Sequence, residues 1–414
     1  MFNLDHFIGK YVIRRSKSMF LEDIEKNRDV LSEKIHNKKV LVIGGAGSIG
    51  SSFIRAILPF CPTTLIVVDI NENALAELTR DLRSTKDVYI PDDYVPYPMD
   101  YASLTFEKMY RDRAGFDIVA NFSAHKHVRS EKDIYSVEAL LQNNVLHAKK
   151  LLDLLKEFPP EVYFCVSTDK AANPVNIMGA SKRIMEDVIF SYSDQFPVKT
   201  ARFANVAFSN GSLLDGFLTR INKLQPISAP SDVKRYFVSP EESGQICMLA
   251  CMLGNNREIF FPKLEKEQMM TFDAIAIRLL SEYGFDVELC ESDEEAVEKA
   301  FALKSIFLNR EKNERDAKRL SYPVHFSVSD TSGEKSFEEF YTSQEKVDMA
   351  RFHSLGVIVD KNIPSKTEIN NLLQRLDNSF AKTYVTKEEI VEIIKEYLPN
   401  FEHIEKRKFL DSKM

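Results

Sequence analysis

The run STDKAANPVNIMGASK, residues 167–182, sets a hydroxyl, an acid and an amine in consecutive positions: Thr168, Asp169 and Lys170. A second lysine, Lys182, follows at the end of the run. A donor, an acid and a base side by side suit proton transfer to and from one bound substrate. A bare Thr-Asp-Lys turn is common on protein surfaces, so its weight comes from what surrounds it. Upstream, the strand-like KVLVIG (39–44) runs straight into GGAGSIG, with Gly44, Gly47 and Gly50 at GxxGxxG spacing. Such glycines serve a tight turn, the close approach of backbone to a pyrophosphate, and the packing of helix on strand. The helix that follows offers unpaired N–H groups and a positive dipole end to phosphate. Gly44, Gly47, Ser48, Ile49 and Gly50 are therefore candidate dinucleotide contacts. TLIVVD (64–69) ends in Asp69, where a carboxylate takes the adenosine ribose hydroxyls. Asp69 would repel a 2′-phosphate and so favours NAD, while Arg80 and Arg83, one helix further on, would serve NADP. Asp100, after the third strand, is an adenine contact or a loop-capping carboxylate.

The elements that must position these residues are legible as alternating patterns. Apolar, β-rich runs recur at 39–44, 64–69, 94–99 (YVPYPM), 117–122 (DIVANF), 162–167 (VYFCVS) and 198–204 (VKTARFA). Between them lie helical patterns such as ENALAELTRDLR and VEALLQNNVLHAKKLLDLL. Strands alternating with helices predict an α/β fold, a doubly wound parallel sheet of Rossmann type covered on both faces. That sheet puts Thr168, Asp169 and Lys170 at the carboxyl end of its fifth strand, the edge where such folds bind ligands. The expected organisation is a helical arm over 1–37, a dinucleotide-binding domain over 38–207, a smaller substrate-binding region over 208–345, and a helical extension over 346–414. In the arm, Leu4, Phe7, Ile8, Tyr11 and Val12 share a helical face. It packs on its own domain or a partner subunit, or else lies on a membrane surface through Lys10, Arg14, Arg15 and Lys17. Residues 208–300 read as loops and shorter elements. In the tail, Thr386 and Glu389 form a capping box ahead of IVEIIKEYL, its one clear helix.

Composition bounds the rest. The chain has 414 residues, 44% hydrophobic and 28% charged, as in ordinary soluble proteins. Its net charge of −7, with no basic stripe, argues against nucleic-acid binding. Of the five cysteines, Cys247 and Cys251 sit four apart in ICMLACML without histidines or carboxylates nearby, which reads as buried thiols and no metal site. With no signal-peptide core and no apolar run of spanning length, the expectation is a soluble, cytoplasmic protein without a transmembrane segment.

On GGAGSIG, SAHKHV (123–128), NNV (143–145), STDKAANPVNIMGASK, ARFANV (201–206) and SGEKSFEEFY (332–341), the chain resembles the extended short-chain dehydrogenase/reductase superfamily. More narrowly, it is similar to the nucleotide-sugar 4,6-dehydratases of polysaccharide biosynthesis that act on UDP-N-acetylglucosamine, over about residues 38–345. In most of the superfamily a tyrosine four residues before the lysine takes the proton of the oxidised hydroxyl, and the lysine holds the nicotinamide ribose. Here the lysine is Lys182 and the tyrosine position is Met178. The resemblance extends to a subgroup with methionine at this place. It implies that Asp169 assists departure of the C6 hydroxyl, that Lys170 is the C5 base with a pKa depressed by burial and by Lys182, and that Thr168 hydrogen-bonds the C4 oxygen. Met178 has no ionisable proton, so Asp169 or an ordered water takes the C4 hydroxyl proton and Met178 shapes the pocket. The resemblance also brings Lys126, between His125 and His127, near the phosphates, and Asn144 and Asn205 into the site lining. Arg202 and Arg235 either meet the diphosphate or form surface salt bridges, and Glu334 and Lys335 belong to a motif of local structure.

The implied reaction turns a nucleotide-activated N-acetylhexosamine, on a UDP or GDP carrier, into its 4-keto-6-deoxy form for surface glycans. NAD would be tightly bound and recycled. The alternatives are a nucleotide-sugar 4-epimerase, which has no use for an acid–base pair at C5 and C6, and a catalytically silent NAD-binding scaffold. The expected homo-oligomer, a dimer first, forms through helices at 136–157 and 176–196.

Overall fold

A computed structural model describes residues 2–127, 131–309, 319–329 and 339–404. The first six strands are β1 (Lys39–Ile43), β2 (Thr64–Asp69), β3 (Asp93–Pro98), β4 (Ile118–Asn121), β5 (Val162–Val166) and β6 (Val198–Ala201). They lie in the order β3-β2-β1-β4-β5-β6, all parallel. β1, β2, β4 and β5 are buried along almost their whole length, because helices cover both faces. β3 carries Pro96 and Pro98, which lack an N–H, and it is the edge strand where that loss is tolerated. The strand order reverses between β1 and β4, opening a crevice at their carboxyl ends. This is the doubly wound parallel architecture that the strand–helix alternation predicted.

The sheet is wider than the sequence pattern suggested. Ile259–Pro262 adds a parallel strand beside β6, and Leu355–Val359 and Lys346–Asp348 extend it antiparallel to nine strands. The stretch 346–414, read as a helical extension with one clear helix, therefore supplies, among its described residues, two strands and two helices, Lys366–Phe380 and Lys387–Tyr397. Thr386 does cap Glu389 N, but the Glu389 carboxylate turns to Ser379 and Lys382, so only half of the expected capping box forms.

Residues 208–300 also hold more helix than expected: Leu213–Lys223, Pro240–Leu253, Phe272–Glu282 and the start of Asp293–Asn309. Pro240–Leu253 belongs to the main core. A Cβ on its Gly244 would stand 2.1 Å from the Ser52 carbonyl, so glycine is what lets it lie against the helix Ser48–Ile57. Cys247 and Cys251 are buried in it, and burial pushes the Cys251 thiol up to about 12. A second apolar cluster, with Phe217, Ile227, Leu279, Leu280 and Tyr322, centres on a small parallel sheet of Ile227–Pro230, Phe285–Leu289 and Leu320–Ser327.

The N-terminal arm packs on its own chain. It is not one helix: a short α turn, Leu4–Phe7, passes into a π turn, Ile8–Val12, and the backbone reverses at Arg14 with φ 55°. Phe7, Ile8, Val12 and Ile13 enter the second cluster, while Phe20, Ile24, Leu31 and Ile35 enter the main core. Two of the arm's cations also reach residues of the same chain, while Lys10 and Lys17 stay exposed. Arg15 forks both carboxylate oxygens of buried Glu242 at 2.6 Å, and Arg14 reaches Met270 Sδ. Among the described residues no helix is long and apolar enough to cross a membrane.

Candidate active site

At the end of β1, Gly44 adopts φ +69°, and a Cβ there would meet Ser123 N at 2.6 Å. At Gly50 it would meet the Gly44 carbonyl at 2.3 Å. Gly47 differs, because its nearest neighbour would be 3.4 Å away. The protein's own packing does not demand glycine at Gly47, which leaves room for a ligand to approach. Gly47 is also the N-cap of Ser48–Ile57, and no side chain caps it, so the first-turn N–H groups face the crevice without a side-chain partner. Across this loop Asp69 is fixed by Ala46 N at 3.1 Å and Asn71 N at 2.9 Å. Arg80 pairs with Glu77 on its own helix surface, and Asp100 is exposed, capping the turn at Ala102 N.

β5 ends at Val166, and one residue further on three consecutive residues are tied together. Thr168 Oγ1 donates to Asp169 Oδ1 at 2.7 Å, and the same oxygen accepts from Lys170 N at 2.9 Å and Lys170 Nζ at 3.1 Å. Asp169 is only 3% exposed. Thr168, Asp169 and Lys170 thus form one hydrogen-bonded unit, with Lys170 held beside a carboxylate. Lys182 does not join it as the expected neighbouring cation. Its Nζ turns to the Val166 carbonyl at 3.1 Å, and burial pushes its pKa below the usual lysine range.

The helix Ile177–Phe190 presses on this turn. Asn176 caps it through Gly179 N at 2.7 Å. A Cβ on Gly179 would stand 2.7 Å from the Lys170 carbonyl, so this glycine sets how close helix and turn come. Gly→Ala inside a helix ordinarily stabilises by about 1 kcal/mol. Here the sign should reverse: we expect Gly179→Ala to cost about 1–3 kcal/mol through overpacking and to displace Lys170. Urea unfolding beside turnover checks it, and a variant more stable than wild type would refute the close packing.

Met178, Lys182 and Glu186 occupy successive turns of one helix face. Met178 is 3% exposed and packs in the main core. Glu186 is fully buried and accepts from Ser167 Oγ at 2.6 Å, from Arg202 Nε at 2.8 Å and Nη2 at 2.7 Å, and from Lys361 Nζ at 2.9 Å. Arg202, expected at a diphosphate, is therefore elsewhere. It is 0% exposed, and the remainder of its fork binds Glu345 and the Phe340 carbonyl.

Asn144 likewise acts as a bracket rather than an open lining residue. It sits in the π turn Gln142–Leu146, its amide bonds both backbone groups of His125, and it donates to Ser181 Oγ. Lys126 donates to the Asn210 carbonyl at 2.9 Å, and Asn210 N donates to Ser48 Oγ at 2.9 Å. Lys126 and the glycine loop are thus brought together. Asn205 lies on a two-residue strand beside Phe237, and Arg235 on another beside Met270, where its Nη1 reaches the Lys234 carbonyl. Glu334 and Lys335 fall outside the described residues.

Sequence reasoning missed Ser167, Gly179, Glu186, Asn210 and Lys361. Only Glu186 had an available signal, its four-residue spacing after Met178 and Lys182. The helix expected to pair with a partner subunit is also unavailable: every residue of Ile177–Phe190 except Arg183 is buried within the one chain. Lys361, Tyr397 and Ile404 of the C-terminal segment contact Glu186, Asp187 and Val175 on that side.

The family described as polysaccharide biosynthesis protein matches residues 40–300. An uncharacterised membrane protein of Methanocaldococcus jannaschii is 28% identical over 88% of this chain and 98% of its own length. The capsular polysaccharide biosynthesis protein CapD of Staphylococcus aureus is 30% identical over 62% of this chain, which spans only 44% of CapD. A UDP-glucose 4-epimerase of Rickettsia bellii is 25% identical over 87% of this chain and 90% of its own. Among solved structures, Pen from Bacillus thuringiensis covers 83% of this chain and 98% of its own at 19% identity and a TM-score of 0.59. DesIV, a dTDP-glucose 4,6-dehydratase of Streptomyces venezuelae solved with NAD, covers 60% and 82% at 22% identity and 0.51. These structural likenesses bear on the fold.

Proposed function

The chain belongs to the polysaccharide biosynthesis protein family, and from that premise we propose that it dehydrates a nucleotide-activated N-acetylhexosamine, UDP-N-acetylglucosamine first, to the 4-keto-6-deoxy sugar. The observation that carries the reading is the single hydrogen-bonded unit of Thr168, Asp169 and Lys170. The room at Gly47, the first-turn N–H groups behind it and the fixed Asp69 carboxylate fit NAD, whose nicotinamide ribose Lys182 would hold. Bound there, NAD would supply hydride acceptance at sugar C4 and hydride return at C6.

The chain's own residues handle the protons. Thr168 hydrogen-bonds the C4 oxygen, and its contact with Asp169 gives the hydroxyl proton a short path to that carboxylate. Met178 takes no part, having nothing to ionise. Protonated Asp169 is then the acid that C6 hydroxyl departure requires. Lys170 enters the cycle as the neutral amine, and protonation of Asp169 removes the anion beside it, which keeps that form favoured for taking the C5 proton. Elimination of water returns Asp169 to its carboxylate, and Lys170 gives its proton back to C5. One carboxylate and one amine thus serve four proton transfers with no net proton change.

The similarity to UDP-glucose 4-epimerases over most of the chain favours a second reading, epimerisation at C4. Incubation with UDP-N-acetylglucosamine in deuterated water, followed by proton NMR, separates the two. The dehydratase gives a 6-deoxy-4-keto sugar with deuterium at C5. A C4 epimer without deuterium would overturn it. No change with either the UDP or the GDP sugar would leave an NAD-binding scaffold.

A further inference from the structure

We infer that Glu131 is a positioning residue of this site, and that the C-terminal segment 387–404 acts through it. The inference rests on the functional reading above and assigns a role to the C-terminal tail. Glu131 is 6% exposed, and its Oε1 accepts from Met178 N at 2.9 Å. Met178 N is one of the first-turn donors that a helix cannot satisfy internally. Asn176 takes Gly179 N of the same turn, so the start of Ile177–Phe190 is pinned from two sides. This start carries Met178, bears on the Lys170 carbonyl through Gly179, and leads to Lys182 one turn later. A negative charge at a helix N-terminus is also favourably placed.

The tail holds Glu131 from behind. Lys387 Nζ donates to the Glu131 carbonyl at 2.7 Å, and His403 Nε2 stands 3.6 Å from Glu131 Oε2. Ile404 N donates to the Val175 carbonyl at 3.1 Å, just before the helix begins. Phe401 is buried in the main core and anchors the segment between these contacts. Residues far apart in sequence thus converge on the turn that aims Lys170. Displacing reacting groups by about 1 Å can cost 10²-fold in rate.

The test combines turnover with [methyl-13C]methionine NMR of the full chain, Met178 being assigned by Met178→Leu. Glu131→Ala should lower kcat by about tenfold to a hundredfold, leave KM for the nucleotide sugar little changed, and shift the Met178 methyl resonance. Glu131→Gln keeps an acceptor for Met178 N and should retain most of the turnover. Lys387→Met with His403→Ala should lower kcat in the same direction and add nothing further on top of Glu131→Ala. Wild-type kcat with an unmoved Met178 methyl in Glu131→Ala would overturn the inference. So would Glu131→Gln as inactive as Glu131→Ala with that methyl unmoved, because the carboxylate would then act chemically. Absence of turnover in the wild type counts against the functional reading alone. The methyl resonance still decides positioning, a shift supporting it and no shift refuting it.

Discussion

In the Asp169→Asn protein, formation of the 4-keto-6-deoxy sugar should fall by about 10³-fold or more, beside a general acid–base contribution of about 10²–10⁴ per group. The substitution is nearly isosteric. The asparagine oxygen can still accept from Thr168 Oγ1 and Lys170 N, which both meet Asp169 Oδ1, so the turn should stay folded. What disappears is the capacity to take the C4 hydroxyl proton and deliver it to the C6 oxygen. Lys170→Met should fail at a different point. It leaves Asp169 and Thr168 able to support oxidation but removes the C5 base, so solvent deuterium should not enter C5. Product-resolved NMR of both variants, with circular dichroism to check folding, reads the difference. If Asp169→Asn turned over within tenfold of wild type, Asp169 would be neither the proton acceptor nor the acid.

Glu186→Gln should cost about 3–5 kcal/mol, the range for breaking a buried charge cluster by removing one partner. Three elements depend on this carboxylate: Ser167 ahead of the Thr168–Lys170 turn, Arg202 at the end of β6, and Lys361 after the last strands of the sheet. Glutamine leaves Arg202 and Lys361 under-compensated in the interior, where Arg202 retains Glu345 and Lys361 retains Asp187. Urea unfolding at pH 7 measures the loss. The pH dependence follows from the same contacts. Burial alone would raise the Glu186 pKa, but Arg202 and Lys361 together hold it well below the ordinary value of 4.5. A carboxylate with a depressed folded pKa contributes its full stability above the unfolded value, and that contribution fades as pH falls below it. Stability should therefore decline more steeply with acid in the wild type than in Glu186→Gln. Parallel acid limbs would show that Glu186 is not the hub.

The parts of this protein legible in its sequence are those where neighbouring residues carry the message. Continuous apolar runs gave β1, β2, β4 and β5, because strands covered on both faces need no polar alternation. The glycine loop and Asp69 were readable because a phosphate-binding turn is built from adjacent positions and one strand end. Thr168, Asp169 and Lys170 are consecutive, so their mutual hydrogen bonds were implicit in their order.

Where side chains meet across the fold, local pattern had nothing to report. Arg202 sits in a motif that suggested a ligand, yet Glu186 and Glu345, far along the chain, claim its whole guanidinium. Asn144 looked like site lining until the π turn aimed it at His125 and Ser181. Leu355–Val359 is too short and too uniformly apolar to be told from a buried helical segment by periodicity, and only the free edge of Ile259–Pro262 makes it a strand. Composition and spacing determined the first six strands of the sheet and the chemical groups at its edge. The tertiary structure decided which of those groups face the crevice and which are consumed as internal partners, since a buried charge goes to the nearest opposite charge in space, whatever its distance along the chain.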